Sequence, residues 1–226
     1  MSTLSRKLLA EFIGTTLLLA TVVGSGIMGV ALAKGNDGIA LLANAGATAG
    51  ALYVLIVILG PISGAHFNPA VTLVMRLRGE LPTRDAAAYM AVQLVAAVVG
   101  VVLAHAMFEQ ALIQPGTHAR TGMAQWLSES VATFGLVLTI LLGVRHRAAA
   151  VPPLVASYIF AAYWFTSSTS FANPAVTVAR SLTQSFAGIR PDDVLGFVVA
   201  QLAGMLAAHW TAGLLTDRTS SQTPGP

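Results

Sequence analysis

Long apolar runs separated by short polar clusters dominate the chain: Leu8–Ala33, Ile39–Leu59, Thr83–Phe108, Met123–Val144, Ala148–Phe165 and Val194–Leu215. A helix rising about 1.5 Å per residue needs about 20 residues to cross about 30 Å of hydrocarbon, so each run reads as a spanning helix. Nothing shows the alternation of a transmembrane barrel, and backbone groups in lipid must find partners within their own segment. The pattern therefore predicts an all-α membrane protein with six transmembrane helices. The first run contains Glu11 and is about twice as long as a signal-peptide core of about 7–15 residues, so it is expected to be retained. The tail, residues 216–226, is polar and Pro-containing and is expected to be disordered.

Composition narrows the class. Of 226 residues, 55% are hydrophobic and only 9% charged, with no cysteine; soluble domains carry about 25% charged residues. A cytosolic globular enzyme is excluded, and so are disulfides, thiolate nucleophiles and Cys-ligated metals. The net charge of +3 follows topology. With a cytoplasmic N-terminus, the inside segments hold Arg6, Lys7, Arg76, Arg78, Arg84, Arg145, Arg147 and Arg218, and the outside ones Lys34, Arg120, Arg180 and Arg190. The positive-inside rule thus predicts that both termini are cytoplasmic, and the inner (plasma) membrane is the expected location. The lipid bilayer accounts for the basic surplus, and no nucleic acid is needed.

Two further segments, Gly60–Arg78 and Thr166–Leu182, are too long for turns and too apolar for solvated loops. Each carries Asn-Pro-Ala-Val-Thr, at Asn68–Thr72 and at Asn173–Thr177. The repeat extends to Glu11 and Thr15 against Glu129 and Thr133, and to Gln93 against Gln201. The chain is expected to be one channel domain over 1–226, made of two three-span units, 6–108 and 123–215. An odd number of spans per unit inverts the second copy relative to the first. Asn is a favoured N-cap and Pro suits the first helical position. Half-helices are therefore expected from Pro69 to about Met75 and from Pro174 to about Leu182. Irregular backbone at membrane depth is tolerated only beside protein or water, so the stretches before them should line a cavity.

These residues resemble the aquaporins and aquaglyceroporins of the major intrinsic protein family, whose signature is two Asn-Pro-Ala boxes on inverted half-helices. The resemblance runs from about Arg6 to Leu215. It implies a homotetramer of right-handed six-helix bundles, each with its own pore for small neutral solutes, and no cofactor or metal. Asn68, Pro69, Ala70, Asn173, Pro174 and Ala175 would form the central pore boxes. The carbonyls of Gly64, Ala65, His66, Thr169 and Phe171 would line the pore, and Glu11 and Glu129 would brace the two re-entrant loops. His105 and His209 lie late in their helices, and His118 and His146 read as loop residues.

The departure from the family pattern is specific. Most members have arginine after the second Asn-Pro-Ala; here Val176 stands there. Gapless counting from the boxes puts the other constriction positions at Thr48, Ala161 and Ser170, which together with Val176 make a wide, uncharged, mildly polar filter. Arg180 lies about one turn beyond Val176 and would face similarly but sit deeper or outside the constriction, a candidate substitute for the missing arginine. The combination resembles the arginine-lacking aquaglyceroporins associated with bacterial arsenic resistance, implying neutral metalloid acids such as arsenite and methylarsenicals, with glycerol and water, as permeants. An ordinary water/glycerol facilitator and an ion-coupled inverted-repeat transporter are the alternatives; a transporter needs ionisable groups facing its substrate. No Ser/His/Asp or His/carboxylate arrangement suggests catalysis.

Overall fold

The computed structural model describes residues 2–216; the tail expectation beyond Thr216, and Arg218, fall outside them. Eight α-helices follow in order: α1 Thr3–Ala33, α2 Asp37–Ser63, α3 Pro69–Leu77, α4 Thr83–Met107, α5 Met123–Arg147, α6 Val151–Phe165, α7 Pro174–Arg180 and α8 Val194–Leu215. Short 3₁₀ turns precede α6 and α8, and there is no strand among the described residues. Among the described residues, five continuous helical stretches are long and apolar enough to cross a membrane. One of them, Met123–Phe165, is 43 residues long and comprises α5 and α6.

Local chemistry sets the ends. The Ser2 hydroxyl accepts from the Ser5 N–H at 3.1 Å and starts α1 before the apolar run begins. The Asn36 side chain accepts from the Ile39 N–H at 3.2 Å and starts α2. That helix continues through Pro61 and stops at Gly64, which takes φ +90° while its N–H donates to the Gly60 carbonyl at 2.9 Å. Among the half-helices, α3 runs two residues past Met75, whereas α7 stops at Arg180, short of Leu182, where the chain turns at Ser181.

The two halves repeat one packing scheme. In the first, α1 packs on α2 and α4; in the second, α5 packs on α6 and α8; α2 against α6 joins them. The half-helices α3 and α7 wedge between α4 and α8 from opposite repeats. The result is the expected inverted three-helix repeat. Large apolar side chains such as Leu32, Val95, Leu195 and Trp210 point outward and suit lipid.

Close approach within each repeat depends on glycine. A Cβ at Gly100 would stand 2.4 Å from the Thr16 carbonyl oxygen, and one at Gly204 would stand 2.1 Å from that of Ser130. Hydroxyls bind across the same seams: Thr16 donates to the Ala96 carbonyl at 3.2 Å and Ser130 to that of Ala200 at 2.8 Å. Small residues that let helix backbones meet are the membrane counterpart of a packed core. Gly100→Ala and Gly204→Ala should each cost about 1–3 kcal/mol through overpacking, measured by unfolding in detergent micelles. Gly50→Ala, whose Cβ meets no atom within 4 Å, should cost nothing.

Candidate functional site

The two half-helices begin alike. Asn68 (φ −157°) and Asn173 (φ −158°) are extended N-caps followed by Pro at the first helical position. Asn68 Oδ1 accepts from the Ala70 N–H at 2.8 Å; Asn173 Oδ1 accepts from Ala175 at 3.0 Å and Val176 at 3.3 Å. The chain before each cap is left-handed at the same three places. Gly64, Ala65 and Phe67 have φ +90°, +49° and +48°; Thr169, Ser170 and Ala172 have +61°, +52° and +49°. Five of these six are not glycine, and each such residue costs roughly 1–3 kcal/mol unless its surroundings hold it.

Two buried carboxylates hold them. Glu11 accepts from the N–H groups of His66 at 3.0 Å and Phe67 at 2.7 Å, and from the Ser63 hydroxyl at 2.7 Å. Glu129 accepts from the N–H groups of Phe171 and Ala172, both at 2.9 Å. A glutamine fixes each carboxylate in turn: Gln93 donates to Glu11 at 2.8 Å and Gln201 to Glu129 at 2.6 Å. The same amides reach the half-helices, at 2.9 Å to the Thr72 hydroxyl and 2.8 Å to that of Thr177. Each network runs from α1 or α5 through the loop to α4 or α8.

The repeats also grip each other. Asn68 Nδ2 donates to the Ala172 carbonyl, and Asn173 Nδ2 to the Phe67 carbonyl, each at 2.8 Å. The sequence places both asparagines at the centre as donors, but gives no sign of this exchange. It uses one N–H of each amide and leaves one for a solute.

Between the repeats lies a cavity of about 120 Å³. Its wall takes Asn68, Val71 and Met75 from α3 and Asn173, Val176 and Arg180 from α7, which share one helical face. Gly64, Ala65, His66, Ser170 and Phe171 come from the loops and Thr48 from α2, while Leu18, Val22, Leu52, Leu136 and Ile140 make an aliphatic side. Pro69, Ala70, Pro174 and Ala175 are buried behind this wall. Thr169 is also outside it, its hydroxyl 3.5 Å from Arg120 Nη1.

One filter position is corrected. Ala161 is exposed on α6 and takes no part in the wall; Val155, Ile159 and Tyr163 form the cavity face instead. Two residues on a helix are about 200° apart, so Ala161 and Tyr163 lie on nearly opposite faces. Counting back from the second box crosses the irregular segment after Phe165 and loses the helical phase. The Tyr163 hydroxyl stands 3.2 Å from that of Thr48, so a phenol narrows the place expected to hold a methyl group.

Arg120 is the other residue the sequence does not single out. It reaches in from the connection between α4 and α5 and is only 6% exposed. Its guanidinium donates to the carbonyls of Gly188 at 2.9 Å and Ser168 at 3.1 Å, while Asp193 accepts its backbone N–H at 2.8 Å. Burial pushes its pKa down to about 10, which leaves it charged at neutral pH. His105 ties the same connection to the chain after α7, with ring nitrogens 2.9 Å from the Leu112 carbonyl and 2.8 Å from the Thr183 hydroxyl.

A bundle with two re-entrant half-helices meeting at a lined cavity defines an integral membrane channel for small solutes. The chain belongs to the major intrinsic protein family, whose model matches residues 1–170 and stops before the second Asn-Pro-Ala box. It is 58% identical to aquaglyceroporin AqpS of Rhizobium meliloti (strain 1021), over 91% of this chain and 88% of that one. It is 30% identical to the probable aquaporin AqpM of Archaeoglobus fulgidus, over 92% and 96% of the two chains. The X-ray structure of the aquaglyceroporin from Plasmodium falciparum has the same fold, with a TM-score of 0.73 at 17% identity, over 93% of this chain and 95% of that one.

Glu11→Gln and Glu129→Gln turn one acceptor oxygen towards N–H donors as an NH2 group. Each should cost about 2 kcal/mol of stability and lower water and glycerol permeability in parallel. Thermal unfolding together with light-scattering flux in vesicles checks this. A change in the ratio of the two permeabilities would point to direct solute contact.

Proposed function

We propose that this protein is a passive channel for small neutral hydroxylated solutes, with metalloid acids such as arsenite and methylarsenicals as its principal class and glycerol and water also permeant. The observation that carries this reading is the constriction: Val176 stands where most of the family has arginine, beside the hydroxyls of Thr48, Tyr163 and Ser170. Ser170 Oγ is buried and has no hydrogen-bond partner among the described residues, so a solute hydroxyl could supply one. The asparagine amides offer donors further in, and the aliphatic side gives the rest of the solute nothing to bind. A neutral polyol or metalloid acid exchanges water's hydrogen bonds for fixed ones at little net cost, whereas an ion loses hydration it does not regain. Facilitated diffusion needs no coupling and no catalysis. The similarity to AqpS, named an aquaglyceroporin, supports the solute class.

The same reading takes the loop carbonyls of Gly64, Ala65, His66 and Phe171 as acceptors along the pore, and the assembly as a homotetramer. The basic residues of the termini and of the connections on their side, Arg6, Lys7, Arg76, Arg78, Arg84, Arg145 and Arg147, favour the cytoplasmic face of the inner membrane. Tyr163 favours one second reading, an ordinary water/glycerol facilitator, because its phenol makes the constriction narrower than Ala161 would.

Flux of arsenite, methylarsenite, glycerol and water in vesicles separates the two readings. Val176→Arg should reduce both arsenicals about tenfold or more relative to water, the scale of one altered pocket contact; unchanged selectivity would sink the filter argument. Tyr163→Ala should raise methylarsenite more than water if the phenol sets the width.

A further inference from the structure

We propose that Arg180, backed by Arg120, is the charge barrier of this pore: rooted about one helical turn beyond Val176, it reaches back to place its guanidinium over the Phe171 ring, beside the uncharged constriction, and excludes cations there. The inference rests on the channel reading, and is independent of which neutral solute passes.

The two half-helices present matching stripes to the cavity, Asn68, Val71 and Met75 against Asn173, Val176 and Arg180. The first two positions are identical in the repeats; the third is a thioether in one and a guanidinium in the other. Val176 is thus the residue that the repeat itself predicts, and the departure from symmetry is the charge at Arg180.

Among the described residues that charge has no ion-pair partner, and the carboxylate close by, Glu129, which accepts the Phe171 N–H at 2.9 Å, offsets only part of the two arginines' combined charge. Arg180 is 2% exposed, and its Nε donates to the Ala187 carbonyl. Its guanidinium carbon lies 3.3 Å from the centroid of the Phe171 ring. Among the described residues, Nη1 and Nη2 have no hydrogen-bond partner, and the ion pairs are Arg78 with Glu80 and Arg190 with Asp193, neither involving Arg180. The Arg120 guanidinium stands over the same ring at 5.1 Å and bonds only neutral oxygens, among them the carbonyls of Gly188, Ser168 and Phe186. A ring face and carbonyl dipoles can fix a guanidinium in place, but they leave its net charge. Two such charges beside a low-dielectric passage repel any cation that enters and leave a neutral solute unaffected. In this arrangement size is read at Thr48, Tyr163 and Val176, and charge is read by the Arg180 guanidinium on Phe171 in the same wall.

The test uses the full-length protein in vesicles, reading potassium permeability relative to glycerol permeability. Arg180→Gln should raise that ratio about tenfold or more, and Arg180→Lys should stay near the parent. Ser170→Asp puts a carboxylate on the cavity wall at a backbone angle of +52°, which aspartate tolerates. It should also raise the ratio while Arg180 keeps its packing. If Arg180→Gln does not assemble, Ser170→Asp decides alone. Potassium exclusion unchanged in Ser170→Asp, or a leak in Arg180→Lys equal to that in Arg180→Gln, overturns the barrier. A parent that passes neither glycerol nor water overturns the channel reading, and the barrier with it.

Discussion

Backbone that is not helical cannot stand at the middle of a bilayer without partners for its N–H and C=O groups, and two glutamates supply them. Glu11 and Glu129 each take two consecutive loop N–H groups on one carboxylate. Only an acceptor of that capacity can serve donors projecting from left-handed residues, and a hydroxyl or amide would satisfy fewer. Everything at the centre follows from this contact: the positive φ angles, the placing of the asparagine caps, and the meeting of α3 and α7. The charge is costly to bury, and it is held by the glutamines and backbone groups around it. An intramembrane carboxylate therefore has a use other than proton transfer, and these two are separated from the cavity by the loops they hold.

The repeat makes a symmetric frame, and function sits where the frame is broken. His66 and Phe171 occupy equivalent places before the two caps. His66 bonds the Thr72 hydroxyl at 3.1 Å, whereas Phe171 packs edge-on against Phe197 and carries both guanidinium groups on its ring. Met75 and Arg180 are the other divergent pair. Both differences lie along the same wall, so one end of the passage is aromatic and cationic while the other is apolar with a histidine. A pore built from two copies of one unit gains its polarity from a few substitutions, with no change of scaffold.

Much of this was legible in the sequence. Hydropathy gives the spans because lipid demands long apolar segments, and the doubled Asn-Pro-Ala-Val-Thr gives the half-helices because capping chemistry is local. The glutamate and glutamine partners could be paired through the repeat. Three things were not legible, each for a physical reason. The side of α6 that faces the cavity depends on helical phase, which the irregular stretch between Phe165 and Asn173 does not preserve, so the sequence points to Ala161 where the fold presents Tyr163. Arg120 sits in a connection without periodicity, and only the closed fold brings it to Phe171. The exchange between Asn68 and Asn173 joins residues from different repeats, and nothing local announces it.

That exchange has a consequence for how the chain is made. Synthesis delivers the first repeat to the membrane while the second is still absent. Asn68 then has no Ala172 carbonyl to bind, and the Phe67 carbonyl has no Asn173 amide. Glu11 can already brace its own loop, because α1, α2 and α4 have all emerged, but the tip of α3 stays without its central partners. The two central hydrogen bonds of the first half therefore wait for the second repeat, and the arrival of α7 with its preceding loop supplies both.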